Sequence, residues 1–234
     1  MSAIAVVPLA GLSARRLDEP WPWALRNRDL VAAHWAALTG DNPALYNGRV
    51  LVRRRHVLEA GRLDLGYVET DYASFIAFRD HGFPDPESGN AFAMAALRGA
   101  DGAFLLGRMG EHTANAGKVY FPAGTPGPED VLPDGTVDLA GSVLRELEEE
   151  TGLRPGDVAM DEAWTATIAG ARTALMREVR VPEPAEAARA RIRAFLAGQA
   201  RPELSDIVIV RTVADIDEAM PPFMQAYLRA ALQR

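Results

Sequence analysis

The sequence predicts an α+β fold in which strand hairpins and amphipathic helices alternate along the chain, and three observations carry that reading. "AFAMAALRGADGAFLLGRM" is two apolar runs separated by Gly99-Ala100-Asp101-Gly102, a strong hairpin signal. From Asp138 to Thr151 the pattern turns helical, with Gly152 placed to stop it. Phe223, Met224, Tyr227, Leu228, Ala231 and Leu232 close the chain as an amphipathic helix whose aromatic and Met positions read as core. At 234 residues the chain suits one sizeable domain, or a domain of about 150 residues plus an extension.

Taken in order, Ile4 to Val7 reads as a strand and Arg15 to Trp23 as a loop. "NRDLVAAHWAAL" places Leu30, Val31, His34, Trp35 and Leu38 at helical spacing, with Gly40 as a stop. His34 lies on the apolar side of that helix, where a lone histidine is ordinarily packed, and it receives no role. "RVLVRRRHVLEAGRLDLGYVETDY" reads as two strands around Ala60-Gly61, and "SFIAFRDHGF" as a short helix before the break at Pro84 to Pro86. Arg53-Arg54-Arg55 reads first as a solvated strand face, with phosphate contact as the other option. The boundary is set here: residues 1–88 form an N-terminal α/β extension and 89–234 the main domain.

Beyond the hairpin, "KVYFPAG" is a strand, and Thr125 to Gly135, with three prolines and two glycines, must be a loop. "AWTATIAGARTALMREVRV" is a second hairpin, Pro184 to Leu196 a helix with Pro early and Gly198 late, and "DIVIVRTV" a buried strand.

Composition removes some classes of function and leaves others open. Hydrophobic residues at 48% and charged residues at 24% are ordinary for a soluble protein, so they separate nothing. A net charge of −7 argues against a nucleic-acid surface as partner, because such footprints are basic. With no cysteine there is no disulfide framework, thiolate zinc site or cysteine nucleophile, and a reducing cytoplasm is the expected compartment. Oxygen ligands are then the natural choice for any metal. The first apolar run precedes its positive charges, unlike a secretory signal, and no run approaches the roughly 20 residues that cross a bilayer.

The chemistry concentrates in "LRELEEETGL", Leu144 to Leu153. At about 100° per residue, Glu149 falls about 60° to one side of Glu146 and Glu150 about 40° to the other, so three carboxylates share an arc beside the apolar face. Like charges at Glu146 and Glu150 repel, partial burial raises their pKa values, and Glu149 and Glu150 stand at the negative end of the helix dipole. A divalent cation removes these penalties, and Mg2+ or Mn2+ suits a few carboxylates plus water and phosphate oxygens. Arg145 is spaced to pair with Glu149. A Glu-rich surface helix that binds nothing is the alternative.

These residues resemble the Nudix signature. Arg145-Glu146-Leu147-Glu148-Glu149-Glu150-Thr151-Gly152-Leu153 fills its second half, Arg-Glu-apolar-any-Glu-Glu-any-Gly-apolar, without a mismatch. The preceding hairpin and "YFPAG" (Tyr120 to Gly124) are also similar to that family, and the likeness covers roughly Phe92 to Val213. The first half departs: where the pattern expects Gly and Glu the chain has Val131 and Val137, while Gly124 lies seven residues too early. An inserted loop accounts for this at small cost, with Asp138 standing in for the Glu.

The resemblance implies a Nudix-type α/β/α sandwich with a mixed sheet and hydrolysis of a nucleoside diphosphate linked to another moiety. It further implies Glu146, Glu149 and Glu150 as ligands of Mg2+ or Mn2+, with Arg145 supporting them. Glu203 is the candidate for a carboxylate from a distant loop that orients or deprotonates the attacking water. Gly124, Asp138, Arg108 and Lys118 are the remaining candidates for substrate contact, a surface role being the other reading of the two cations. Two subgroups compete for the substrate. Gly117 with Phe121-Pro122 matches the coenzyme A pyrophosphatases, except that Thr113 stands where they carry Arg. "HWAALTGDNPALYNGRVLVRR" and "DLAGSVLREL" are similar to Nudix proteins acting on UDP-glucose, over more of the chain, so a nucleotide sugar is preferred. Coenzyme A, ADP-ribose and a non-catalytic nucleotide-binding module remain as alternatives. Trp21, Trp23, Tyr46 and Tyr72 are open between core and substrate stacking. Family members are often dimers, so a homodimer is a further expectation.

Overall fold

Strand β5 (Asn90–Arg98) shows how the main sheet is built, because its alternate residues enter two different cores. Ala91, Ala93, Ala95 and Leu97 pack on one face, and Met94 and Ala96 on the other. A strand buried on both faces is apolar throughout, as "AFAMAAL" is. The computed structural model describes residues 3–43 and 45–233; Met1, Ser2, Ala44 and Arg234 lie outside the described residues.

Chain order is β1 (Ile4–Leu9), β2 (Gly11–Arg16), α1 (Pro22–Arg26), α2 (Arg28–Asp41), β3 (Arg49–Glu59), β4 (Arg62–Asp71), α3 (Tyr72–Asp80), then β5. There follow β6 (Phe104–Met109), β7 (Val119–Tyr120), β8 (Ala123–Gly124), α4 (Leu139–Thr151), β9 (Ala159–Ala169), β10 (Arg172–Arg180), α5 (Ala185–Ala197), β11 (Leu204–Val210) and α6 (Pro222–Ala231). The main sheet runs β1-β9-β10-β5-β6-β11, with β7 on β6 and β8 on β5. It is mixed, β10 and β5 being parallel and β9 and β10 antiparallel. Helices α4 and α5 send Val143, Leu147, Ala188 and Ile192 into the core on one face. On the other face, α6 contributes Met224, Tyr227 and Leu228. The fold is α+β, a mixed sheet between helical layers, as the sequence led us to expect.

A second sheet, β2-β4-β3, carries α1, α2 and α3 around a core that includes Trp21, Trp23, Val52, Val68 and Phe78. The expected division at residue 88 is crossed by the chain. Strand β1 leaves the extension to pair with β9, from Ile4 opposite Ala169 to Leu9 opposite Trp164. The other face of the small sheet, with Leu51, Leu65 and Tyr67, shares a core with β5 and α4.

Four local expectations are corrected. Residues of the expected Arg15 to Trp23 loop belong to β2 and α1; "GLSARR" has no alternation to betray a strand and is held by parallel pairing with β4, Gly11 opposite Arg62. Gly40 does not stop α2, which ends at Asp41, since one Gly inside a helix costs only about 1 kcal/mol. "KVYFPAG" is broken into β7 and β8, pairing with different strands on either side of Phe121-Pro122. Strand β11 pairs with β6 at the end of the sheet, so it is only partly buried.

Candidate active site

Helix α4 is set by its two ends. Asp138 caps it, Oδ1 accepting the Gly141 N–H at 2.9 Å, and Gly152 ends it at φ 73°, a left-handed conformation that suits glycine. Asp138 therefore serves the backbone at the start of the helix, roughly 12 Å along its axis from Glu146.

Burial separates the three carboxylates that the sequence put on one arc. Glu150 is 4% exposed, the Glu146 side chain 13% and the Glu149 side chain 60%. Val143 and Leu147, both fully buried, fall about 60° and 100° from Glu146 on the side of Glu150, so that residue is carried inward and Glu149 outward. Glu150 Oε1 accepts the Ala123 N–H at 3.3 Å, whereas Oε2 is buried with no hydrogen-bond partner. Burial pushes Glu150 well above the ordinary carboxylate range, the Ala123 N–H opposing and the Glu146 and Glu203 charges adding to the shift. Glu146 is pushed up to about 7, first by burial, against the pull of Arg145 and with the Glu149 charge reinforcing it. A Cβ on Gly124 would lie 2.1 Å from Glu146 Oε1, so glycine is what lets that strand end meet the carboxylate.

Arg145 holds this cluster differently from the helical spacing alone. Its closest contacts are Glu146 Oε1 at 2.7 Å and Asp130 at 3.1 and 3.2 Å; Glu149 is 3.7 Å away. Asp130, 5% exposed and raised in pKa by burial, also accepts the Gly127 N–H at 2.9 Å, tying the inserted loop to α4. Sequence reasoning passed over it as one acid in a Pro/Gly-rich loop; its spacing from Arg145 follows no helical or strand period.

Ala123 and Gly124 also close one end of a cavity of about 410 Å³. Its wall includes Tyr72, Phe75 and Arg79 from α3, Asn90, Phe92 and Met94 from β5, Lys118, Tyr120, Arg172 and Phe223. Of the sequence candidates, Gly124, Lys118 and Tyr72 are therefore brought to it. Glu203, exposed just before β11, adds its charge to the shifts of Glu146, Glu150 and Tyr120 and so faces the same region. Arg108 does not line the cavity; its Nη1 donates to the Gly117 carbonyl at 3.3 Å. Trp21 and Trp23 are core, Trp21 Nε1 donating to Ser88 Oγ at 2.9 Å, and Tyr46 is 84% exposed. His34 bonds Asp80 at 3.0 Å. Arg54 pairs with Asp85 and Glu87, and Arg55 with Asp64, so the arginine triplet is largely spent within the fold.

Among the described residues, no group of three or more His, Asp or Glu side chains stands together as a ready metal site. The donor chemistry nonetheless fits a hard cation: a buried and a half-buried carboxylate that repel one another, the buried one with an oxygen left unpartnered. No helix among the described residues is long and apolar enough to cross a membrane.

No protein-family model matches the sequence, and no curated protein matches it. Part of the chain is similar to several solved structures, each at a TM-score below 0.5. A Nudix hydrolase from M. smegmatis, RenU, is 18% identical, with 62% of this chain and 85% of that one covered at a TM-score of 0.39. A C. elegans Ap4A hydrolase binary complex is 13% identical, with 62% and 93% covered at 0.41. A MutT protein from Methanosarcina mazei Go1 is 21% identical, with 62% and 93% covered at 0.37.

Proposed function

We propose that this chain is a divalent-metal-dependent pyrophosphohydrolase of the Nudix type that cleaves a nucleoside diphosphate linked to another moiety. The observation that carries the reading is the unpartnered, buried Oε2 of Glu150 beside Glu146, on the helix where Arg145 to Leu153 fill the second half of the signature. A buried carboxylate without a partner is costly, and a site evolved to receive a cation explains why it persists.

Glu146 and Glu150, with Glu149 turning in from the exposed side, would hold Mg2+ or Mn2+, which when bound supplies charge to offset that of the bridging and leaving phosphate oxygens. Arg145 fixes the Glu146 carboxylate, and Asp130 fixes Arg145. Gly124 leaves room for that carboxylate to lie against the strand end. Glu203, whose charge acts on Glu146 and Glu150 from a loop, would take a proton from the attacking water. The aromatic wall of Tyr72, Phe92 and Phe223 suits a base or sugar ring, and a nucleotide sugar such as UDP-glucose is the preferred class.

Incubation with UDP-, GDP- and ADP-sugars, ADP-ribose and coenzyme A, each with Mg2+ or Mn2+, tests this through release of nucleoside monophosphate. Turnover of at least one class, abolished by chelation, is expected. Tight binding without turnover of any would make the protein a non-catalytic nucleotide-binding module instead.

A further inference from the structure

The far end of the cavity holds charge that the diphosphate reading does not use. Arg172, at the start of β10, lines the wall with no carboxylate partner among the described residues, its guanidinium 4.7 Å from the Phe83 ring centre. Phe83 takes φ 59°, a strained left-handed conformation for an aromatic residue, and packs its ring edge to face on Phe78 at 5.2 Å. The ring is thus a fixed platform for the guanidinium. Burial, and then the like charge of Arg79, lower the Arg172 pKa, so two cations crowd one another here in a protein whose net charge is −7. Among the described residues Arg79 meets one carboxylate, its Nε donating to Asp80 Oδ1 at 2.8 Å. Beside them Asn90 Oδ1 is buried with no hydrogen-bond partner, an acceptor waiting for a hydroxyl or N–H.

Distance separates Arg172 and Asn90 from the strand end that meets the carboxylates. Arg172 pairs with Asn90 on one side of β5, while Gly124 pairs with Ala93 on the other. At ~3.3 Å per residue and ~4.8 Å per strand, the two backbones are roughly 14 Å apart. The Phe83 contact draws the Arg172 side chain toward the extension. One diphosphate bridge held at Glu146 and Glu150 is too short to satisfy this end as well.

Resting on the hydrolase reading for the placement of the diphosphate, we infer that Arg172, Arg79 and the Asn90 amide form a subsite for a hydroxylated group bearing its own negative charge. The substrate is then a nucleoside diphosphate derivative with an additional carboxylate or phosphate on a sugar ring. Two sources supply that chemistry, a carboxylate on the linked sugar or a phosphate on the ribose, and the test separates them.

Calorimetry in chelated buffer, which needs no turnover, compares UDP-glucuronate with UDP-glucose, and coenzyme A with its 3′-dephospho form. Tenfold or tighter binding of the charged member in one pair supports the inference and identifies the source. That preference is expected to fall below twofold in Arg172→Met, with partial recovery in Arg172→Lys; Arg79→Met serves as an independent variant should the strand start be perturbed. Equal binding within both pairs, no binding of any of the four, or a preference that survives both Met variants overturns it. A retained preference with no hydrolysis of any of the four once Mg2+ or Mn2+ is restored would sink the hydrolase reading alone. Turnover of charged and neutral members with equal kcat/KM would sink only the subsite.

Discussion

Two charged groups of opposite sign lie close to Ala123 and Gly124 or across the cavity they line, the α4 carboxylates and the arginines of its wall, and the two are built in different ways. At the carboxylate end, Glu146 and Glu150 come from one turn of α4, Glu146 fixed by Arg145 on the same helix and Glu150 by the Ala123 N–H of β8. At the arginine end, Arg79 and Arg172 come from α3 and β10, with Asn90 from β5, brought together only by the docking of the extension on the main sheet. Both ends leave a buried oxygen unpartnered, Glu150 Oε2 and Asn90 Oδ1. A fold tolerates such atoms at a cost of about 1–3 kcal/mol each, and a ligand group at each would remove that cost. The contrast teaches that a site contained in one helix turn is written as a motif, whereas a site spanning three elements is not.

The largest expected effect breaks the carboxylate end outright. Glu150→Gln keeps an acceptor for the Ala123 N–H but removes the anion, and turnover should fall by about 10²–10³ or more. The same change should raise Tm in metal-free buffer, because a buried carboxylate has gone. Unchanged kcat in this variant would end the ligand assignment. Next, Gly124→Ala places a methyl against Glu146 Oε1 and should lower turnover about 10–100-fold with a modest Tm change, measurable by steady-state kinetics across a metal titration. Asp130→Asn loosens Arg145 and should cost about tenfold in turnover and ~1–2 kcal/mol of stability, read from urea unfolding.

A pH series sharpens the comparison without mutation. The Glu146 pKa, about 7, lies above its ordinary value of 4.5, so the folded state keeps a proton that the unfolded chain gives up. The Glu146 contribution to metal-free stability should accordingly be fully present near pH 4.5 and be lost as pH rises through the window from 4.5 to 7, by on the order of 3 kcal/mol. Saturating Mn2+ should flatten that fall, since metal and proton compete for the carboxylates. Stability that rises across the window would show that the charge is already compensated. At the small end of the scale, Glu148→Gln, on an exposed side chain 3.5 Å from Arg154, should change turnover and stability by no more than about 0.5 kcal/mol.

By itself, the sequence determined the elements whose information is local. The hairpin at Gly99 to Gly102, the capped helix from Asp138 to Gly152 and the core face of α6 follow from turn chemistry, capping and periodicity over a few residues. It also located the acidic cluster. Only the tertiary structure decided which of those acids is buried, because Glu149 and Glu150 are adjacent in sequence and differ only in which side of α4 meets the sheet. It likewise decided that Asp130 reaches Arg145 across fifteen residues, that β1 joins β9, and that Arg79 and Arg172 share one cavity. Helix and strand periods fix where a side chain points relative to its own axis; they say nothing of what another element, arriving from far along the chain, puts in front of it.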